Sequence, residues 1–305
     1  LALLNLVLVI FLALKNTPLA LLTANSYESL NQLHQACGYT TALCATLHAT
    51  FQSIAWTRRI KYPGFIVDTQ QKFGMVALAC FWIIVISALT IRRFKYEVFY
   101  VIHLTMIVLA LVSIGIHRNS SVNKAIIVTI IAAGIWGIDG GFRTLRTLSN
   151  SKGTTATIYP LPNRATRVVL DRSLSSAVPG THCYLWIPKI RLLETHPFTI
   201  ISNITTSSSS SLEFVIAAHD GFTSDLYEYA SKNPGTSLRA SMDGPYGIPA
   251  NFGTVADKVV FLSGGSGASY TFGVALDMIK KIPISGITGP SIDFVWTVGE
   301  AGQFT

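Results

Sequence analysis

The stretches HQACGYTTALCATLH (His34–His48) and HLTMIVLALVSIGIH (His103–His117) each hold two histidines 14 residues apart inside an apolar run. Fourteen helical residues advance about 21 Å and turn through about 1400°, within about 40° of four full turns. Each pair therefore shares one helix face, its members about two-thirds of a bilayer apart. Working outward, five apolar runs are visible: Leu1–Leu14, Leu33–Trp56, Phe73–Ile91, Val98–Ile116 and Ala125–Ile138, the last extending toward Phe142. A bilayer core of about 30 Å needs on the order of 20 such residues, so these runs predict membrane helices, the first read as cut at its start. Arg58, Arg59, Lys72, Arg92, Arg93, Arg118 and Arg143 bound them.

One run, Phe73–Ile91, separates the two histidine-bearing helices, so these two run parallel, with His34 level with His103 and His48 level with His117. Ionisable side chains in membrane helices face the bundle interior and meet a partner there. Two level pairs of imidazoles are the ligand set of two stacked bis-histidine haem sites, whose six-coordinate iron moves electrons without binding substrate. A proton relay, or polar histidines without a common role, is the competing reading.

Composition agrees with a membrane protein. Half of the 305 residues are hydrophobic and 12% are charged, against roughly 25% charged in soluble domains. Twenty-three Lys and Arg against fifteen Asp and Glu leave +8, but the basic residues are scattered between apolar runs. That pattern fits a membrane surface or anionic substrates and not nucleic acid. Cys37, Cys44, Cys80 and Cys183 show neither disulfide nor zinc spacing.

The character changes near Ser149. Short alternating segments follow, Ala156–Tyr159, Arg167–Leu170, His182–Ile187 and Leu212–Ala217, separated by Pro, Gly and Ser, the pattern of a small antiparallel barrel. Ser207–Ser211 reads as a flexible loop. From Lys258 a strand, a glycine-rich turn, an apolar helix to Lys281 and a strand over Ile292–Val298 make one βαβ unit. The turn Gly264, Gly265, Ser266, Gly267 and Ala268 opens that helix, so its backbone N–H groups form an anion site for a pyrophosphate. The domains are set at residues 1–148, 152–253 and 257–305.

His196-Pro197-Phe198-Thr199-Ile200, Asn16-Thr17-Pro18-Leu19-Ala20, Ser26-Tyr27-Glu28, Pro179-Gly180-Thr181-His182, Gly221-Phe222-Thr223, Asp243-Gly244-Pro245-Tyr246-Gly247 and Gly264–Gly267, with both histidine pairs, resemble the ferric reductase and NADPH oxidase family, and fungal ferric-chelate reductases most. The resemblance implies a multi-span helical bundle holding two haem b groups. A cytosolic ferredoxin-reductase-like module follows: an antiparallel FAD-binding β-barrel and an incomplete α/β nucleotide-binding domain. It implies haem ligation by His34, His48, His103 and His117. FAD would be held by His196, Pro197, Phe198, Thr199 and Thr223, and NADPH by Gly244, Tyr246, Gly247 and Gly264–Ala268.

The implied activity is NADPH-dependent reduction of extracellular ferric chelates for iron uptake, at the plasma membrane. The alternatives are an oxidase making superoxide and a non-catalytic haem protein. An iron permease or oxidase, or a second copy of the chain, is the expected protein partner. Loop charge does not orient the bundle, with seven Lys and Arg on one side and six on the other. Intracellular NADPH does, placing the residues after Phe142 in the cytosol and His34 with His103 at the inner site. The outward loop Arg58–Lys72 is then expected to attract anionic chelates, and Asn119-Ser120-Ser121 to be an outward sequon.

Overall fold

The computed structural model describes residues 2–19, 29–59, 68–117, 124–174, 176–205, 210–248, 257–281 and 290–298. The Ser26–Glu28 motif, the 119–121 sequon and most of the 58–72 loop lie outside them. The chain divides into two compact units, Leu1–Gly141 and Phe142–Thr305.

The first unit is helical: α1 (Ala2–Ala13), α2 (Asn31–Arg59), α3 (Thr69–Thr90), α4 (Tyr96–Ile116) and α5 (Lys124–Asn150), the end of which belongs to the second unit. Asp68 caps α3, its side chain accepting from the Gln70 N–H at 3.1 Å, which satisfies one of the free donors of a helix start. Thr69–Arg93, Tyr96–Ile116 and Ile126–Asn150 are long and apolar enough to cross a membrane. At 29 residues α2 has the length but is less apolar than those three. It carries Asn31, Gln32, Gln35 and a series of threonines besides its two histidines. Thr40, Thr41, Thr46 and Thr50 donate to the carbonyls of Ala36, Cys37, Ala42 and Thr46 at 2.8–2.9 Å, which hides their polarity inside the helix. The unit packs around Leu6, Ile10, Ala42, Cys80, Phe81, Ala110, Leu111 and Ala132. Ala110 and Ala132 are small and wholly buried, so the helices approach closely there.

The second unit holds a five-stranded antiparallel sheet in the order β5-β6-β2-β1-β7, a three-stranded antiparallel sheet β4-β3-β8, and a parallel pair β10-β9. The strands are β1 (Thr155–Leu161), β2 (Ala165–Leu170), β3 (His182–Trp186), β4 (His196–Thr199), β5 (Ser202–Thr205), β6 (Ser210–Ala217), β7 (Thr236–Arg239), β8 (Ser241–Tyr246), β9 (Lys258–Gly264) and β10 (Ser291–Thr297). Two helices, α6 (Phe222–Lys232) and α7 (Ala268–Lys281), complete it. Alternate residues of β1, β2 and β6 point inward, and Ile158, Val168, Leu170, Leu212 and Phe214 form the core with Leu185, Ile200, Leu226 and Met242. That is the burial a period-2 pattern dictates.

Two expectations shift. Ser210 and Ser211 are not loop: they open β6 and pair with Thr205 and Ile204, because the strand is fixed by its buried Leu212, Phe214 and Ile216 and extends back from them. The break expected near Ser149 falls earlier. Residues from Phe142 join the second unit although the helix continues unbroken to Asn150. Its last turns are bonded to β8: Asn150 donates to the Met242 carbonyl at 2.9 Å, and the Ser241 hydroxyl donates to the Thr147 carbonyl at 2.5 Å.

Candidate functional site

The four membrane histidines meet as two pairs. The rings of His34 on α2 and His103 on α4 lie 6.2 Å apart, centre to centre; those of His48, on α2, and His117, at the end of α4, lie 6.4 Å apart. Two metal–imidazole bonds of about 2.0–2.1 Å, plus about 1.1 Å from each nitrogen to its ring centre, require about 6.3 Å. Both pairs therefore fit one iron between them.

The outer nitrogens support the same reading. Nδ1 of His34 donates to the Val9 carbonyl at 2.9 Å, and Nδ1 of His117 to the Gln70 carbonyl at 2.7 Å. A backbone carbonyl on Nδ1 fixes the tautomer that leaves the Nε2 lone pair for a metal. In His103, Nδ1 is buried without a hydrogen-bond partner among the described residues, and its ring lies 5.4 Å from that of Phe99.

Gly74, which the sequence reading passed over, makes room for His117. A Cβ there would stand 2.6 Å from Cε1 and 2.7 Å from Nδ1 of the ring. The signal was available as the single glycine of the run Phe73–Ile91.

In the second unit, β4 carries the His196–Thr199 motif and pairs with β3, Phe198 opposite Cys183 and His196 opposite Leu185. The His196 ring stacks on Phe222 at 4.6 Å, and Phe198 lies 6.0 Å from Phe222. Phe222 opens α6, so the β4 motif and Gly221-Phe222-Thr223 come together. Gly221 caps α6 at φ +79° with no side-chain bond. Thr223 turns its hydroxyl inward, accepting from the His219 N–H at 2.8 Å. The Thr223 hydroxyl is thus engaged locally, whereas the N–H groups of the first turn of α6 have no intrahelical partner, as at any helix start. Phe198 packs against the core, while Pro197 is exposed.

The glycine turn forms as expected. Gly264 ends β9, Gly265–Gly267 make a tight turn with Gly265 at φ +49°, and α7 starts at Ala268. Trp296 of β10 donates its indole N–H to the Gly265 carbonyl at 3.0 Å. Gly244, Tyr246 and Gly247 sit elsewhere, at β8 in the three-stranded sheet. The Tyr246 hydroxyl donates to Asp243 Oδ2 at 2.8 Å and its ring stacks on His182. Burial, reinforced by the Asp243 charge, raises the Tyr246 phenol. A Cβ on Gly244 would meet Cys183 and the His182 carbonyl at 3.1–3.2 Å, so this glycine serves strand packing.

Asp243 is the electrostatic centre of the unit. Its side chain is 1% exposed and takes Arg143 Nε at 3.0 Å and Arg146 Nε at 2.7 Å. The Arg143 guanidinium lies over Tyr184 and that of Arg146 over Tyr246. The sequence reading took Arg143 as a boundary charge only. Gly180 and Gly273 were likewise missed as packing residues: a Cβ on Gly180 would meet Val274 at 2.6 Å, and one on Gly273 the Ile200 carbonyl at 3.1 Å. Their absence of side chains lets α7 lie against the barrel.

Fold and site define a helical component with helices able to cross a membrane, followed by an antiparallel β module. Residues 1–114 match the family model of the ferric reductase like transmembrane component, and residues 151–250 that of an FAD-binding domain. The chain is 27% identical to ferric/cupric reductase transmembrane component 2 of Schizosaccharomyces pombe, over 94% of this chain and 58% of that protein. It is 27% identical to a probable cell surface ferric reductase of Aspergillus oryzae, over 94% of this chain and 41% of that one. A solved ferredoxin NADP+ reductase from Neisseria gonorrhoeae aligns with 49% of this chain and 59% of its own at 15% identity and TM-score 0.37. The chain is thus similar to fungal ferric reductases along most of its length, and it spans about two-fifths to three-fifths of the length of the curated relatives named here.

Proposed function

We propose that the chain is the electron path of a transmembrane ferric-chelate reductase, with NADPH as donor and ferric chelates outside the cell as acceptor. The observation that carries this is the two level histidine pairs, at 6.2 and 6.4 Å, in one chain with an FAD-binding domain. When bound, FAD converts the hydride of NADPH into single electrons and two b-type haems relay them.

The residues do the positioning. His34 with His103 hold the inner haem, and His48 with His117 the outer one. The Val9 and Gln70 carbonyls orient two of the four rings. His196 and Phe222, with the first turn of α6, cradle the flavin, and the turn Gly264–Ala268 receives the nucleotide pyrophosphate. No side chain need act as acid or base in metal reduction. The second unit lies in the cytosol, where NADPH is found, and the first unit spans the plasma membrane. Arg58, Arg59 and Lys61 draw anionic chelates to the outer side.

The test is a reduced-minus-oxidised spectrum of the purified chain with haem quantified per polypeptide. Two haems, both reduced by NADPH, are expected, with ferric reduction insensitive to superoxide dismutase. Inhibition by the dismutase makes oxygen the acceptor. Haem reduced only by dithionite makes the chain non-catalytic, and absence of haem overturns the proposal.

A further inference from the structure

Several aliphatic side chains of the second unit are exposed, and two of the most exposed, Leu192 and Leu193, are neighbours in sequence. Leu192 is 67% and Leu193 91% exposed, the latter more than any other large hydrophobic among the described residues. They are adjacent and sit on a formed turn. The Ile190 and Arg191 N–H groups both donate to the Ile187 carbonyl, at 3.0 and 3.1 Å. The Trp186 indole donates to the Leu192 carbonyl at 2.8 Å. Arg191 is fastened to Asp225 on α6 at 2.8 Å and to Glu194 at 3.1 Å. Ile187 and Ile190 anchor the base of the turn in the core. The turn thus holds two leucines outward, with exposed Lys189 beside them.

The same chain supplies the apolar phase that could receive them. Helix α5 crosses the membrane within Ile126–Asn150 and enters the second unit with no linker. Residues 142–150 of that helix pack in the second unit, so the unit starts directly where the apolar part, residues 126–141, about 24 Å long, leaves a hydrocarbon core of about 30 Å. The second unit is therefore tethered at the bilayer surface, where insertion is intramolecular and needs little intrinsic affinity. An amphipathic Trp at the base, a Lys at the rim and leucines at the tip match the layering of a membrane interface.

We infer that Leu192 and Leu193 insert into the headgroup–acyl boundary of the bilayer crossed by α5, giving the flavin-type module a second, lipid-borne foothold. The inference rests on the membrane reading of α5 and not on haem or flavin.

The experiment uses the full chain in phosphatidylcholine–phosphatidylserine nanodiscs, with Leu193→Cys carrying an environment-sensitive fluorophore and nitroxide placed high on the lipid acyl chains. Glu228→Cys on exposed α6 is the control site, and the labelled parent chain supplies the background of native cysteines. At least twofold quenching at position 193, with none at 228, is expected. An unquenched label at 193 overturns the inference, whether its emission stays water-like or shifts to the blue because protein covers the turn; equal quenching at both sites overturns it as well. Leu192→Cys gives the same reading should Leu193→Cys fold poorly. The haem spectrum of each preparation tests the electron path separately.

Discussion

Gly74→Ala tests the proposed haem site of His48 and His117 through a residue outside the ligand set. The new Cβ would lie 2.6 Å from Cε1 and 2.7 Å from Nδ1 of His117, where carbon contacts settle at about 3.5–4.0 Å. The ring must retreat by about 1 Å. That movement breaks the 2.7 Å bond from Nδ1 to the Gln70 carbonyl, because Gln70 lies one turn before Gly74 on the same rigid helix. Overpacking costs about 1–3 kcal/mol, and loss of a ligand's orienting bond weakens metal affinity about 10–100-fold. Haem per chain should fall from two toward one, with the site of His34 and His103 intact. Gly115→Ala is the matched control, two residues from His117 on α4, where an added Cβ meets nothing within 4 Å. The assay is haem content and the reduced difference spectrum of both variants. Unchanged haem in Gly74→Ala, or equal loss in Gly115→Ala, would refute the reasoning.

Three further outcomes are expected. Asp243→Asn leaves Arg143 and Arg146 without their shared carboxylate; breaking a buried ion pair costs about 3–5 kcal/mol, so thermal unfolding of the second unit should drop by several degrees while the Soret band of the first persists. Burial, helped by the Asp243 charge, pushes the Cys183 thiol up to about 12, so at pH 8 it stays protonated and shielded; mass spectrometry should find it unalkylated by iodoacetamide in the native chain and alkylated after denaturation. Trp296→Phe removes the donor to the Gly265 carbonyl and should raise the KM for NADPH a few-fold with little change in kcat, in steady-state ferric reduction.

The histidine pairs, the helices and the strand pattern could all be read locally. A 14-residue spacing, a run of twenty apolar residues and a period-2 alternation are properties of consecutive residues. Helix α6 was less legible: its start, Gly221-Phe222-Thr223, read as a flavin motif with no helix after it, because its buried face is only Phe222, Leu226 and Ala230. Tyr246 was grouped with the nucleotide turn, whereas its hydroxyl is engaged by Asp243, a partner no spacing rule pairs with it.

The sequence by itself determined which helices carry imidazoles, that these face one another in level pairs, and that a β-rich module follows with a glycine turn between strand and helix. Each of these follows from backbone periodicity within a segment, together with the single span that separates the two histidine-bearing helices. Only tertiary structure decided that Gly74 is the space His117 occupies, that Gly180 and Gly273 admit α7 to the barrel, and that Arg143 and Arg146 close on Asp243 a hundred residues away. These are contacts between distant segments, selected by close packing and by the cost of burying an unpaired charge.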